Sequence, residues 1–383
     1  MYVCKEYIRE WYAGGSYLKR LRVGEEVMNV TSESTRQIYQ YLQDKVSKEI
    51  FISRLNYSIS GDNCFRRNLH FKMRNLNADI IMFAEKLYGE KHKKLVVFGA
   101  GANGTDLVRN LNDVPFFCFI DNFQNKAVEP QTKLPIYSLE KYKEQYGLKD
   151  SKFIIAVSRI DYVKDIYSQL IKSGVEEEDI VYIKDWRNNT SQYFDVFIPH
   201  EHETFVDCGC YDGSTAFRFA GWCAEGGKSY DKIWSFEPDA TSYMKCKRIL
   251  NSLANCELFP YGISDKAGIV SFMANGYENA KIIEDGDRSD NRVQQVNVVK
   301  LDEILENERV TFIKMDIEGA EYDALKGAEK IIKEQKPRLA ISVYHHPNHI
   351  IEIPKLLLEF RDDYKFYLRH YSLLANEVVL YAE

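Results

Sequence analysis

The chain has 383 residues, 45% hydrophobic and 28% charged, with 51 Lys and Arg against 57 Asp and Glu for a net charge of −6. That length holds about two or three domains at ~150 residues each, and the composition argues against a disordered, collagen-like or solenoid chain. A balance of this sign supplies no general drive toward nucleic acid or anionic lipid.

Residues 1–94 carry 17 Lys/Arg against 11 Asp/Glu, an excess of positive charge that reads as a solvated helical face. Charges interrupt every apolar run between Met1 and Glu10, so no secretory signal is expected. No stretch approaches the ~18 apolar residues of a membrane span. Eight cysteines suit a reducing cytoplasm, and a cytoplasmic protein is the expectation. Cys208 and Cys210 form a Cys-x-Cys that no second close pair answers, while Cys223, Cys246 and Cys256 are scattered. Small buried thiols are expected there, and no metal is assigned.

Ile38, Tyr41, Leu42, Val46 and Ile50 recur at helical spacing after Ser32 and Glu33, which predicts a helical N-terminal segment over 1–92. Short apolar runs then alternate with amphipathic segments. Leu95–Phe98, Phe116–Ile120, Phe153–Val157 and Ile180–Ile183 predict a small Rossmann-like domain over 93–186. Trp186, Asn188, Asn189 and Pro199 give residues 184–203 the look of a linker. The rhythm restarts at Thr204–Cys208 and continues through Lys232–Glu237, Val310–Asp316 and Arg338–Val343, a second domain over 187–383. Tyr364–Arg369 and Glu377–Tyr381, joined by a polar turn, read as an antiparallel pair closing the second sheet. The fold class is α/β, with two consecutive doubly wound units.

In the first unit, Gly99, Gly101 and Gly104 satisfy Gly-x-Gly-x-x-Gly between a strand and a helix, and Asp121 ends the next strand. That is the dinucleotide fingerprint in its proper context. The unit is only about half of a full dinucleotide fold, and Asp161 with Tyr162 are the sole nearby redox candidates. Binding of a nucleotide or NAD(P), scaffolding, and a glycine turn kept for tight packing all stay open.

The second unit is more informative. Asp207-x-Gly209-x-x-x-Gly213 leaves a strand and enters the helix that begins at Ser214. Glycines let a ligand lie against the backbone, and the helix start attracts a carboxylate or phosphate. Glu237 ends the following strand, where a carboxylate accepts both hydroxyls of a ribose. Asp316, Glu318 and Glu321 cluster at the carboxyl end of a later strand, and such a cluster repels itself unless it meets cationic or hydroxylic partners. The next strand delivers Tyr344, His345 and His346 to the same rim.

Val206–Gly213, Phe236–Asp239, Tyr261–Gly268, Val299–Leu305 and Asp316–Glu321 together resemble the FkbM family of S-adenosylmethionine-dependent methyltransferases over about residues 190–383. The resemblance implies a class I methyltransferase fold and O-methylation of sugar or natural-product hydroxyls. It also implies that Asp207, Gly209 and Gly213 line the methionine and ribose end, that Glu237 holds the ribose diol, and that Ser264 and Asp265 border the adenine. Cys210-Tyr211-Asp212 departs from the family's usual Ala-Asn-Ile or similar.

A sulfonium is already an activated methyl donor, so the protein has to align a nucleophile and remove its proton. Asp316 and His345 are the candidate bases, with Glu318 or Glu321 on acceptor hydroxyls. A divalent cation held by Asp316, Glu318 and His345 is the second choice, since no ligand-spacing rule supports it. His346 and His349 read as surface or capping histidines.

The expected acceptor is a small molecule or saccharide rather than nucleic acid, because the catalytic part is acidic and lacks a basic-aromatic stripe. A binding protein without turnover and an NAD(P)-linked bifunctional enzyme stay open, as does the oligomeric state. Residues 273–297, with Tyr277, Asn279, Lys281, Arg288 and Arg292, suit a mobile lid or an ordinary surface loop.

Overall fold

Near-continuous apolar runs set most of the strands, and their order in the sheets is what brings the polar residues at the ends of those strands to one edge. The computed structural model describes residues 19–23, 26–30, 32–62, 65, 69, 93–111, 114–124, 126–157, 160–182, 192–273, 281–283, 293–371 and 377–383. Two units emerge: a larger one of residues 1–62, 190–369 and 377–383, and a smaller one of 63–189 and 370–376.

The N-terminal segment begins with β1 (Lys19–Val23) and β2 (Glu26–Val30), paired antiparallel with Lys19 opposite Val30. Helices α1 (Ser32–Tyr41) and α2 (Lys45–Ser60) follow. The expectation of a purely helical lead-in is therefore corrected by a hairpin. The single helical run is also broken, because the Asp44 side chain accepts from Ser47 N at 2.7 Å and starts a new helix.

The smaller unit holds β3 (Lys94–Phe98), α3 (Ala102–Asn110), β4 (Phe116–Ile120), β5 (Ile136–Tyr137), α4 (Leu139–Tyr146), β6 (Ser151–Ile155), α5 (Ile160–Ser173) and β7 (Ile180–Tyr182). Its sheet has the order β5-β4-β3-β6-β7, and each paired neighbour is parallel. Residues alternate between the two faces. Leu95, Val97, Phe119 and Ile154 pack with Leu107 of α3 and with Leu111 just after it, whereas Val96, Phe98, Cys118 and Phe153 pack with Tyr142 of α4 and Val163 and Leu170 of α5. Near-continuous apolar strands are what a sheet covered on both faces requires.

The larger unit continues with β8 (Glu203–Cys208), α6 (Ser214–Glu225), β9 (Tyr230–Phe236), α7 (Ala240–Leu250), β10 (Cys256–Phe259), β11 (Gly262–Ile263), β12 (Gly268–Met273), β13 (Lys281–Ile283), β14 (Val293–Val299) and α8 (Leu301–Ile304). It ends with β15 (Phe312–Met315), α9 (Glu321–Lys326), α10 (Glu329–Gln335), β16 (Arg338–Ser342), α11 (His349–Phe360), β17 (Phe366–His370) and β18 (Val378–Ala382). The main sheet has the order β10-β9-β8-β15-β16-β18-β17. From β10 to β16 the neighbours are parallel, and β18 runs antiparallel to β16. A second sheet, β11-β14-β12-β13, stands beside this one.

Phe205 stacks on Phe219 with centroids 4.4 Å apart, and Phe194, Trp222 and Phe312 complete an aromatic core. Phe194 and Phe197 are buried, so the described part of the expected linker over 184–203 belongs to this core. Its residues Trp186, Asn188 and Asn189 lie outside the described residues. At the far edge, Gln43 N donates to Phe366 O, Leu368 N donates to Ser47 Oγ at 2.9 Å, and Arg369 pairs with Asp44 at 2.7 Å. The N-terminal helices thus cover the edge strand β17, which an exposed edge needs. Residues 1–62 group with the larger unit rather than forming the separate segment over 1–92 that the periodicity suggested.

Candidate active site

The turn after β8 is built for close approach. Gly209 has φ +75°, and a Cβ there would meet the Asp316 carbonyl oxygen at 2.1 Å. Gly213, at φ +85°, lies against Cys246 and Leu250 of α7 and begins α6. Gly209 N and Cys210 N both donate to Phe236 O, and Tyr211 N donates to Glu237 Oε2 at 2.9 Å. The glycine turn and the acid at the end of β9 are therefore tied together directly.

Glu237 is buried, and its other oxygen accepts from Asp239 N at 2.9 Å. Each carboxylate oxygen keeps one lone pair beyond the backbone N–H that it accepts. Burial pushes this carboxyl up to about 7, against the pull of the two backbone hydrogen bonds.

Asp207, at the end of β8, is fully buried and sits 3.0 Å from Lys314 Nζ of β15. Lys314 also donates to Gly209 O at 2.6 Å. Asp207 and Asp316 raise the lysine above its ordinary value despite its burial, so the ammonium form is held in place under the turn. A buried pair of this kind fixes position more than it adds stability.

The unusual residues of the turn have local explanations. Asp212 Oδ1 accepts from Ser214 N at 2.9 Å, an Asx turn that leads into α6. Cys210 Sγ lies 3.0 Å from Cys246 Sγ, and the Cys246 thiol donates to Tyr211 O. Cys246, scattered in the sequence, is thus a neighbour of Cys210 in space. Burial drives the Cys210 thiol well above its ordinary value.

Opposite the turn, the acids and histidines meet. Asp316 accepts from Tyr193 Oη at 2.7 Å on one oxygen and from Tyr344 Oη at 3.1 Å on the other. His345 Nδ1 lies 2.8 Å from Glu321 Oε1, while its Nε2 faces Asp316 Oδ1 at 3.4 Å and Glu318 Oε2 at 3.5 Å. Glu321 is fully buried and also accepts from Ile317 N; against that burial, His345 and then His349 hold its carboxyl far below the ordinary range. Burial opposes protonation of His345, yet the three carboxylates raise it to about 10. Burial, then Asp316 and Glu321, push Glu318 up to about 8 against the pull of His345.

The structure brings Asp316, Glu318 and His345 together, and brings Asp207, Gly209, Gly213 and Glu237 together. Ser264 and Asp265 hydrogen-bond each other at 3.3 Å, and the Ser264 carbonyl packs where a Cβ on Gly327 would be 2.0 Å away. They lie just after β11, past the end of β10, whose Phe259 carbonyl accepts from Glu237 N. His349 is corrected from a surface histidine: it is buried, with Nδ1 3.3 Å from Glu321 Oε2. Tyr193 and Lys314 are the site residues that sequence reasoning did not single out, and Tyr344, placed at this rim, was given no role there. Of the expected lid, Tyr277, Asn279, Arg288 and Arg292 lie outside the described residues, and residues 293–297 belong to β14.

In the smaller unit, Gly99, Gly101, Gly104 and Asp121 also converge, in service of the turn. A Cβ on Gly104 would sit 1.9 Å from Gly99 O, so the glycine permits close strand-helix packing. Asp121 accepts from Ala100 N, Phe123 N and Gln124 N at 2.8–3.0 Å. Its carboxylate is engaged by its own backbone.

Residues 207–366 match the family described as the methyltransferase FkbM domain. Over 149 residues the chain is 26% identical to the 2-O-methyltransferase NoeI of Sinorhizobium fredii, a match covering 34% of this chain and 59% of that protein. The chain therefore spans less than two thirds of that relative's length. Among solved structures, the methyltransferase FkbM from Methylobacillus flagellatus aligns over 84% of this chain and 99% of its own, at 19% identity and a TM-score of 0.49. Fibrillarin from Aeropyrum pernix, in complex with natively bound S-adenosyl-L-methionine, aligns over 49% and 69% at 10% identity and a TM-score of 0.32.

Proposed function

We propose that the larger unit transfers a methyl group from S-adenosylmethionine to a hydroxyl of a saccharide or glycoconjugate. The observation that carries this reading is the hydrogen bond from Tyr211 N, inside the glycine turn, to the carboxylate of Glu237. It ties together the two elements that a nucleoside with an amino-acid tail requires. In this reading Glu237 accepts the ribose hydroxyls, and the backbone at Gly209–Gly213 with the start of α6 receives the methionine carboxylate. Asp207 and Lys314 hold the turn from below, and Ser264 with Asp265 border the adenine.

The sulfonium then points toward Asp316, Glu318 and His345. The acceptor hydroxyl gives its proton to this carboxylate cluster as its oxygen bonds to the methyl carbon, and the C–S bond breaks with its electron pair going to sulfur. Tyr193 and Tyr344 orient Asp316 for that task. His345, whose Nδ1 is held by Glu321, positions the carboxylates and does not act as a free base. A hydroxyl as acceptor is favoured by the likeness to a protein named as a 2-O-methyltransferase.

Incubation of the protein with tritiated S-adenosylmethionine and a panel of mono- and oligosaccharides tests the proposal. Label should appear in a saccharide, with one S-adenosylhomocysteine released per methyl. Binding of the donor without transfer to any saccharide would restrict the chain to the binding-protein reading, and no binding of donor or product would remove both.

A further inference from the structure

We infer that Asp316, Glu318 and His345 form a binding site for a divalent first-row cation that receives the acceptor hydroxyl. The inference rests on the methyl-transfer reading for its purpose, though not for its geometry. Asp316, Glu321 and His345 each offer a ligand atom within 4.8 Å of the others. Glu321 is already committed behind them, since its Oε1 accepts from His345 Nδ1 and from Ile317 N. Glu318 completes the forward-facing set in its place.

The decisive group is His345. Its side chain is only 8% exposed, its Nδ1 is fixed by Glu321, and its Nε2 is buried with no hydrogen-bond partner. That nitrogen is aimed between Asp316 Oδ1 at 3.4 Å and Glu318 Oε2 at 3.5 Å. Both separations are long for an N–H···O bond. Ligand bonds of about 2.1 Å meeting at right to tetrahedral angles place donor atoms about 3.0 to 3.4 Å apart, close to the two separations from His345 Nε2.

Second-sphere support is present in the form metal sites use. A carboxylate that accepts from the far ring nitrogen of a ligating histidine sets its tautomer and raises its basicity, and Glu321 stands in that position to His345. Tyr193 and Tyr344 fix the rotation of Asp316. The carboxylates of Asp316, Glu318 and Glu321 outnumber the imidazoles of His345 and His349, so a dication balances charge that the side chains leave uncompensated.

Two carboxylate oxygens and one imidazole nitrogen suit Mn2+, which takes oxygen-rich sets and leaves positions for water or hydroxyls. A saccharide diol can occupy two such positions, and a hydroxyl on the cation loses its proton more readily. The cation would thereby select acceptors with adjacent hydroxyls.

Titration of the full-length protein with Mn2+ alone, followed by electron paramagnetic resonance, tests the site. One equivalent should bind, with nitrogen coupling from an imidazole in the electron spin echo signal. His345→Gln should remove that coupling, and Glu318→Gln should weaken Mn2+ at least tenfold, with circular dichroism reporting that each variant is folded. Absence of stoichiometric Mn2+ binding to the wild-type protein, or a bound signal unchanged in both variants, would overturn the site. S-adenosylhomocysteine is titrated into the same samples. Its binding without Mn2+ would remove the cation and keep the donor site, whereas Mn2+ binding without it would keep the cation and remove the methyl-transfer reading.

Discussion

Asp121 and Glu237 hold the same place in their respective units, at the carboxyl end of the strand after a glycine turn. Their partners differ. Asp121 is partly exposed and takes three backbone N–H donors from residues 100, 123 and 124. Glu237 is buried, takes one N–H on each oxygen, and faces a strand end that carries Asp316. A glycine turn with an acid nearby is thus a structural device until its carboxylate keeps spare acceptor capacity in a dry, walled place. Burial without full satisfaction is what raises Glu237 to about 7, and such unspent polar capacity is characteristic of binding sites.

The contrast can be broken most severely at the cluster that the smaller unit lacks among its described residues. Asp316→Asn keeps the shape but removes the charge that two tyrosines orient, and methyl transfer should fall about 10²- to 10⁴-fold. Tritium transfer at saturating donor measures this; an activity within threefold of wild type would detach Asp316 from the chemistry.

Lys314→Met strands the Asp207 carboxylate in the core. The loss of stability should be about 3–5 kcal/mol, seen as a drop of about 10 °C in the melting of the larger unit. Removing both charges in Asp207→Leu/Lys314→Met should recover much of it. An unaltered melting curve for the single variant would show that the pair is not a buried support.

A third test uses pH. Glu237 titrates at about 7 when free, and the ribose hydroxyls need its carboxylate form. Protonation therefore competes with the donor: affinity should be constant above pH 7 and decline toward tenfold per unit below it. Calorimetry between pH 5.5 and 8.5 reads the profile, and Glu237→Gln should flatten it. A decline that persists in Glu237→Gln would assign the titration elsewhere.

The smallest expected effect lies in the smaller unit. Asp121→Ala removes three hydrogen bonds from a turn and should destabilise that unit by about 1–3 kcal/mol. Donor affinity should stay within twofold, and a larger change would mean that Asp121 contributes to the donor site.

Much of this arrangement was legible because both units are built from apolar runs that end in glycines and acids. Thr204–Cys208 followed by Gly209 and Gly213 could hardly be anything but a strand feeding a helix. Other parts depend on contacts distant in sequence. Tyr193 lies in a stretch with turn chemistry, yet it is buried and reaches Asp316 across 123 positions. Cys210 and Cys246 meet only because α7 packs on the glycine turn.

Two signals were present and unused. Lys314, a cation inside the apolar run Phe312–Met315, needs a buried counterion, and Asp207 on the adjacent strand is that partner. The hairpin at 19–30 is marked by Arg20 and Arg22 alternating with Leu21 and Val23, followed by Gly24. The short period was hidden by the helical spacing that begins directly after it.

Calorimetric titration of S-adenosylhomocysteine into wild-type protein and Glu237→Ala, with Asp121→Ala as the matched control, addresses the central claim most directly. Loss of two hydrogen bonds to a carboxylate should weaken the ligand about 100-fold or more in Glu237→Ala and leave Asp121→Ala close to wild type. Equal affinity in wild type and Glu237→Ala, with both proteins folded, would contradict the account.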